Sequence, residues 1–349
     1  METLLTASRT EQCVAVSETV DVAAARRAAA DLARRLDFGQ DPAARLALVV
    51  TEAATNILKH AGHGEILLRS LTGRDAGRVA VHGIEMLAID GGAGMHDTAT
   101  AMADGNSTAG TYGVGLGAIR RQSDRFDLYT WPERGTVLRA VVWTSPGAQE
   151  PWQCGLVCLP LAGEQECGDA GWAAAIDDGV LLMLVDGLGH GEAAADAADT
   201  AVHTLAALAA SSPGMPPPVL AMHLHAALQR TRGAAVAIAR IDAHAGQVQF
   251  AGVGNIACCT SLDGQRRHLV SINGIVGHNL RKVQAFDTPW QEEMVLILHS
   301  DGLTSRWSLD PYPGLEQAHP ALIAAVLYRD CYRGRDDVSV MVIRQGAIP

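Results

Sequence analysis

Glu52 and Asn56 stand four residues apart in Glu-Ala-Ala-Thr-Asn. On a helix that spacing places both on one face, with Lys59 and His60 a turn further on. Carboxylate and carboxamide oxygens suit Mg²⁺, and a glutamate can also serve as a base. Downstream, the apolar run Ile84–Ile89 ends in Asp90-Gly-Gly92-Ala-Gly94-Met95. A carboxylate at a strand end can accept a hydrogen bond from a flat amine while glycines let the backbone bend around it. Later still, Gly113-Val-Gly115-Leu-Gly117 stands immediately before a helical pattern. Small residues at a helix start let backbone N–H groups approach phosphate. The run has no Gly-Lys-Ser/Thr and no strand directly before it, so it is neither a P-loop nor a dinucleotide fingerprint. Singly, the first pattern reads as a solvated helix face and the last as a flexible loop. Their order along one stretch of chain makes them a set.

A second set lies in the C-terminal half. Asp169 sits in Cys-Gly-Asp-Ala-Gly-Trp, and Asp186 closes the apolar run Val180–Val185 and opens Asp-Gly-Leu-Gly-His-Gly. Asp301 follows Met294–His299 in His-Ser-Asp-Gly, and Asp336 precedes an apolar run in Gly-Arg-Asp-Asp-Val. Each Asp-Gly alone reads as a turn. Gathered at one end of a sheet, four carboxylates would repel one another and hold protons unless cations neutralised them. Hard oxygen ligands select Mg²⁺ or Mn²⁺ over zinc. Two such ions about 3.5–4 Å apart can activate water and clamp a phosphoryl group for in-line attack, with no nucleophilic side chain. His190 reads as a phosphate contact or as packing beside the glycines, and His223 and His225 as ordinary helix residues.

The elements that must position these residues follow from local patterns. Asp41-Pro42 starts a helix that runs to about His60 and stops at Gly62. The first half reads strand, helix, helix, strand, strand, helix, strand, strand. It closes on a hairpin, Phe126–Trp131 and Thr136–Trp143, around Glu133-Arg-Gly135. The second half is mostly strands: Val180–Val185, Ala234–Ile241, Gln247–Phe250, Met294–His299 and Val338–Ile343. Between them lie two helical patterns, Glu192–Ala210 and Val219–Arg230, joined by a Pro-rich loop. The Pro/Gly-containing stretch Ser145–Pro151 has linker composition, which sets the expected domains at 1–145 and 152–349.

Bulk properties agree with two globular domains. The chain has 349 residues, 48% hydrophobic and 19% charged. A net charge of -11 with no Lys/Arg run argues against nucleic acid as a partner. The 7 cysteines contain no C-x-x-C and read as reduced thiols in a cytoplasm. The N-terminus lacks a basic region and a long apolar core, and Val180–Val185 is too short to span a bilayer, so a membrane role is not expected.

In order, Glu52–His60, Asp90–Met95 and Asp104–Gly117 resemble the GHKL ATPases. Within them the resemblance is to anti-sigma-factor serine kinases of the RsbT and RsbW type, over about residues 9–144. It implies a two-layer α/β sandwich that binds ATP and Mg²⁺. Asn56 would hold Mg²⁺, Asp90 would read adenine, residues 95–113 would form a lid, and Glu52 would activate a protein hydroxyl. Lys59, His60, Gly92, Gly94, Thr108, Gly113, Gly115 and Gly117 are the remaining nucleotide-site positions on the matching motifs. The four-aspartate half is similar to the SpoIIE and RsbX branch of metal-dependent (PPM-type) serine/threonine phosphatases, over about 153–345. Gly252-Val-Gly-Asn255 and Gly274-Ile-Val-Gly277 also fit it. That implies a four-layer α-β-β-α sandwich, hence an α+β chain overall, and two Mn²⁺ or Mg²⁺ ions. Asp186 would bridge them, with Asp169, the Gly187 carbonyl, Asp301 and Asp336 completing the set. Asp336 is preferred to its neighbour Asp337.

The expectation is a bifunctional partner-switching regulator in a bacterial cytoplasm. Its kinase-like half would phosphorylate a STAS-type antagonist, and its phosphatase half would remove phosphate from the same or a related protein. A sigma factor is a further partner to consider, and a homodimer follows by resemblance. Two other readings fit the same residues. One is a phosphatase gated by a non-catalytic ATP-binding domain; the other is a protein that sequesters a sigma factor or STAS protein with vestigial catalysis.

Overall fold

The computed structural model describes residues 2–7, 12–74, 79–98, 115–145, 148, 150–177, 179–280 and 282–346. The chain forms two compact units, Thr10–Glu150 and Met1–Arg9 with Pro151–Pro349. Strand β1 (Glu2–Ala7) therefore groups with the second half rather than with the first, as the linker composition alone had suggested.

The N-terminal unit runs β2 (Gln12–Val16), α1 (Thr19–Arg35), α2 (Gln40–His60), β3 (Gly64–Arg74), β4 (Ala80–Asp90), α3 (Gly115–Gln122), β5 (Arg125–Thr130) and β6 (Thr136–Trp143). This is the element order read from the sequence. The five strands form an antiparallel sheet ordered β2-β3-β4-β6-β5. α2 forms because Leu46, Val49, Val50, Ala53, Ala54 and Ile57 recur at helical spacing, and all six are buried. They pack with Ile66, Leu68, Ile84 and Met86 of the sheet and Ile119 of α3 in one core. The helix takes Gly39 as its N-cap, two residues before the Asp41 expected to cap it. Asp41 and Pro42 sit in the first turn, where the proline's missing N–H costs nothing. Gly62 ends the helix at φ +79, and its N–H donates to Ile57 O at 2.9 Å.

The C-terminal unit holds two sheets. The first, of seven strands, is ordered β1, β8 (Asp169–Ile176), β9 (Gly179–Gly187), β10 (Ala234–Asp242), β11 (Gln247–Val253), β14 (Ser271–Ile272), with β15 (Phe286–Pro289) also paired to β11. The second is ordered β13 (Gln265–Leu269), β12 (Ala257–Leu262), β16 (Val295–His299), β17 (Val338–Gln345), β7 (Trp152–Leu159). Between them lie Leu156, Leu182, Leu184, Leu296, Leu298 and Met341. Their alternation with outward residues is what two facing sheets require. α4 (Glu192–Ser211) and α5 (Pro217–Ala227) pack on the first sheet against Trp172, Met183 and Ile238. α6 (Pro320–Cys331) packs on β7 and β17 of the second. The layering is α-β-β-α, as expected.

β1 completes this unit. Its pairing runs from Glu2 opposite Ala175 to Ala7 opposite Gly171. Leu4 and Leu5 join the core between the sheets. Apolar side chains and an unpaired sheet edge are both satisfied by this one contact. No helix of the described residues is long and apolar enough to cross a membrane.

Candidate functional site

In the N-terminal unit, α2 holds Glu52 and Asn56 half-buried. A Cβ on Gly115, the first residue of α3, would lie 2.9 Å from Asn56 Oδ1 and 3.2 Å from its Nδ2. Gly115 therefore rests its backbone against the Asn56 carboxamide, and Gly117, two residues on, is buried. Asp90 ends β4, with its Oδ1 accepting from the N–H groups of Gly92 (2.9 Å) and Thr136 (3.2 Å). A Cβ on Gly92 would come within 2.7 Å of the Ala61 Cβ, and one on Gly135 would overlap the Asp90 carbonyl. Gly94 has φ +65, and Met95 N–H donates to Thr130 Oγ1 at 3.0 Å. These contacts bring the Asp90 turn against the hairpin β5–β6 and the Asn56 face against α3. Glycine is needed at these positions because neighbouring groups fill the space of a side chain.

Lys59 is placed differently. With Thr51, Thr55 and Leu58 it lines a groove of about 500 Å³ shared with Thr19, Val22, Ala23 and Arg26 of α1. His60 is exposed at the helix end. Thr108, Gly113 and most of the expected lid lie outside the described residues.

In the C-terminal unit, Asp169 opens β8 and stands opposite Asp186 in the antiparallel register with β9. Asp169 is 3% exposed, and its Oδ2 has no hydrogen-bond partner. Gly187 N–H donates to Gly168 O at 2.9 Å, which fixes the turn after Asp186 to the segment before Asp169. Asp301 follows β16, and its Oδ2 accepts from Asn255 Nδ2 at 2.8 Å. Asp336 and Asp337 precede β17. Asp337 is buried and accepts from Leu161 N–H (2.6 Å) and Gly168 N–H (2.7 Å), one on each oxygen. Asp336 is half-buried and accepts from the Asp337 N–H at 3.0 Å.

Burial and like charge raise the acids of this cluster. Burial, and then the charges of Asp169, Asp301, Asp336 and Asp337, push Asp186 up to about 9. Burial pushes Asp169 up to about 7 against the Ser300 and Ser339 hydroxyls, with Asp337 and Asp336 adding to the rise. Burial also raises Asp337, against the two backbone N–H groups it accepts from. Among the described residues no three His, Cys, Asp or Glu side chains converge as a ready metal cage. An orphaned buried carboxylate oxygen, opposed acids in register and an all-oxygen donor set nonetheless fit hard divalent cations.

The structure gives specific contacts to positions that the sequence reading left without a ligand role. Asn255 steadies Asp301, and only the Gly-Asn turn hinted at it. His299 Nδ1 lies 2.8 Å from Ser300 O, and its Nε2 accepts from Trp307 Nε1 at 2.9 Å. Burial lowers the His299 pKa, and the ring, tied to Trp307 and Ser300, braces the strand end that carries Asp301. His190 pairs with Glu164 at 2.7 Å, and His225 Nδ1 accepts from Gly277 N–H at 3.0 Å.

Comparisons with known proteins agree with this division. The histidine kinase-like ATPase domain family matches residues 15–142, and the Stage II sporulation protein E (SpoIIE) family matches residues 176–345. The class is thus a histidine kinase-like ATPase unit fused to a SpoIIE phosphatase unit. The serine/threonine-protein kinase RsbT of Bacillus subtilis (strain 168) is 34% identical over 133 residues, which are 38% of this chain and 96% of that protein. Through its N-terminal unit the chain belongs to the RsbT family. The N-terminal unit falls in a family of serine/threonine-protein kinases and the C-terminal unit matches the SpoIIE family, and the chain is an enzyme. A solved structure described as "The bacterial stressosome: a modular system that has been adapted to control secondary messenger signaling" is 28% identical. Its TM-score is 0.50, covering 55% of this chain and 99% of that one. RsbX in complex with magnesium is 20% identical at TM-score 0.47, covering 57% of this chain and 97% of that one.

Proposed function

We propose that this chain both adds and removes phosphate on a Ser or Thr of a STAS-type antagonist protein, or on two related ones, within a bacterial cytoplasm. The observation that carries this reading is that each unit presents a distinct polar site. One is the Asn56–Gly115 contact with the Asp90 turn; the other is the Asp169–Asp186 pair with Asp301 and Asp336 nearby in sequence position to strand ends.

In the N-terminal unit, Asp90 recognises the adenine amine and Asn56 ligates the Mg²⁺ of ATP. Gly115 and Gly117 leave room at the α3 N-terminus for phosphate. Glu52, on the Asn56 face of α2, takes the proton of the protein hydroxyl. Phosphoryl transfer needs mainly positioning and charge neutralisation, which these groups provide. In the C-terminal unit, Asp186, Asp169, Asp301, Asp336 and the Gly187 carbonyl hold two Mn²⁺ or Mg²⁺ ions, whose chemistry is water activation and neutralisation of the phosphoryl oxygens. Asn255 and the His299–Trp307 pair keep Asp301 in place.

The test gives the purified full chain Mg-ATP, Mn²⁺ and a STAS protein, and follows phosphate on and off that partner by intact mass. Asp186→Asn should let the phosphorylated partner accumulate. Glu52→Gln should keep ATP binding and slow transfer. If Asp186→Asn yields no phosphorylated partner while the native chain still dephosphorylates it, the ATPase unit gates the phosphatase instead.

A further inference from the structure

The sulfurs of Cys158 and Cys167 lie 3.7 Å apart, and Cys158 Sγ donates to the Asp169 carbonyl at 3.2 Å. Cys158 is on β7, 6% exposed, while Cys167 is half-buried in the segment leading into β8. Cys167 is separated from Asp169 only by Gly168. Gly168 is itself tied on both sides: its N–H donates to Asp337 and its carbonyl accepts from Gly187. A shift at Cys167 therefore reaches the backbone that sets Asp169, Asp337 and the turn after Asp186.

We propose that Cys158 and Cys167 form a reversible disulfide under a peroxide, and that closing it loosens metal binding at the aspartate site. The second half of this statement rests on the phosphatase reading above. The chemistry balances with the peroxide as oxidant. The more accessible Cys167 thiol is oxidised to a sulfenic acid as the peroxide O–O bond breaks, releasing one water. The Cys158 sulfur then attacks the sulfenic sulfur, forming the S–S bond and releasing a second water. A disulfide needs about 2.05 Å between sulfurs, so the pair must close by about 1.7 Å. Cys158 is held within a five-stranded sheet, so the movement falls on the Cys167 segment. A displacement of about 1 Å at a catalytic constellation is enough to cost roughly 100-fold in rate. Cys154, Cys258 and Cys259 are buried, and the 3.7 Å contact between Cys158 and Cys167 makes the 158–167 pair the expected product.

The experiment treats the full chain with hydrogen peroxide, caps remaining thiols and maps peptides without reduction. The expected product loses two hydrogens, joins the peptides of Cys158 and Cys167, and reverts with dithiothreitol. Calorimetry should show Mn²⁺ affinity at least about tenfold weaker in the oxidised form, a loss on the scale of disturbing residues that orient ligands. Cys167→Ser and Cys158→Ala should each retain the reduced protein's Mn²⁺ affinity before and after peroxide. No 158–167 link, or a link that leaves Mn²⁺ affinity unchanged, overturns the proposal. If the reduced chain takes up no Mn²⁺ at all, the phosphatase reading fails, and peptide mapping still decides the disulfide.

Discussion

Asp169 and Asp186 occupy directly opposed positions on neighbouring strands β8 and β9, one fully buried beside the other. A carboxylate pair in that register is unfavourable without a cation, and it sets the pH behaviour of the metal-free protein. Both acids keep protons in the fold at pH values where the unfolded chain, near 3.8, has released them. The folded state then binds more protons, so stability falls as pH rises from about 4 toward about 9. In EDTA the melting temperature should be lower at about pH 8 than at about pH 6, and Mn²⁺ should flatten the slope and release protons on binding. Asp186→Asn, which cannot ionise, should flatten it without metal. A melting temperature that rises over this range in EDTA would contradict the cluster.

The adjacent Asp336 and Asp337 should separate cleanly. Asp337→Ala leaves the Leu161 and Gly168 N–H groups unpaired, at about 1–3 kcal/mol each. Its denaturation midpoint should drop. Asp336→Ala should keep the midpoint and lose Mn²⁺ affinity in calorimetry. The reverse pattern would make Asp337 the ligand.

Gly115→Ala places a methyl carbon 2.9 Å from Asn56 Oδ1. The carboxamide must move, so Mg-ATP should bind about tenfold more weakly while ATP in EDTA changes less. Asp90→Asn replaces a pure acceptor with a group that also donates, and should weaken ATP with or without Mg²⁺. Unchanged calorimetry for both variants would remove nucleotide from this site.

β1 predicts that the phosphatase unit depends on the start of the chain. Leu5 is 3% exposed within the core between the sheets. Leu5→Ala should cost about 2–5 kcal/mol in that unit's unfolding. Removing residues 1–9 should cost at least as much and bare the β8 edge to aggregation. Equal midpoints for the full and shortened chains would show the strand to be dispensable.

Local pattern determined much of this protein. Apolar spacing in Leu46–Ile57 predicts α2, which starts two residues before the expected position and ends at the expected His60. The runs before Asp186 and Asp301 predict β9 and β16, because a buried strand needs an unbroken apolar stretch. The order of Glu52, Asn56, Asp90 and the glycine box was readable for the same reason: ligand type and spacing are local properties. α6 was not read, although nine of its twelve residues are buried, since an apolar stretch of that length does not declare its state. What only the tertiary structure decided are pairings between distant segments. Asp337 reaches Leu161 across 176 residues, and Asn255 reaches Asp301 across 46. The buried Arg139 pairs with Glu85, Asp127 and Glu150 in one ion network, whose carboxylates hold it charged against the penalty of burial. β1 leaves its sequence neighbours to complete a sheet whose other strands begin at residue 169. No periodicity records such choices, because each depends on which open edge and which orphaned polar group the folded chain brings within reach.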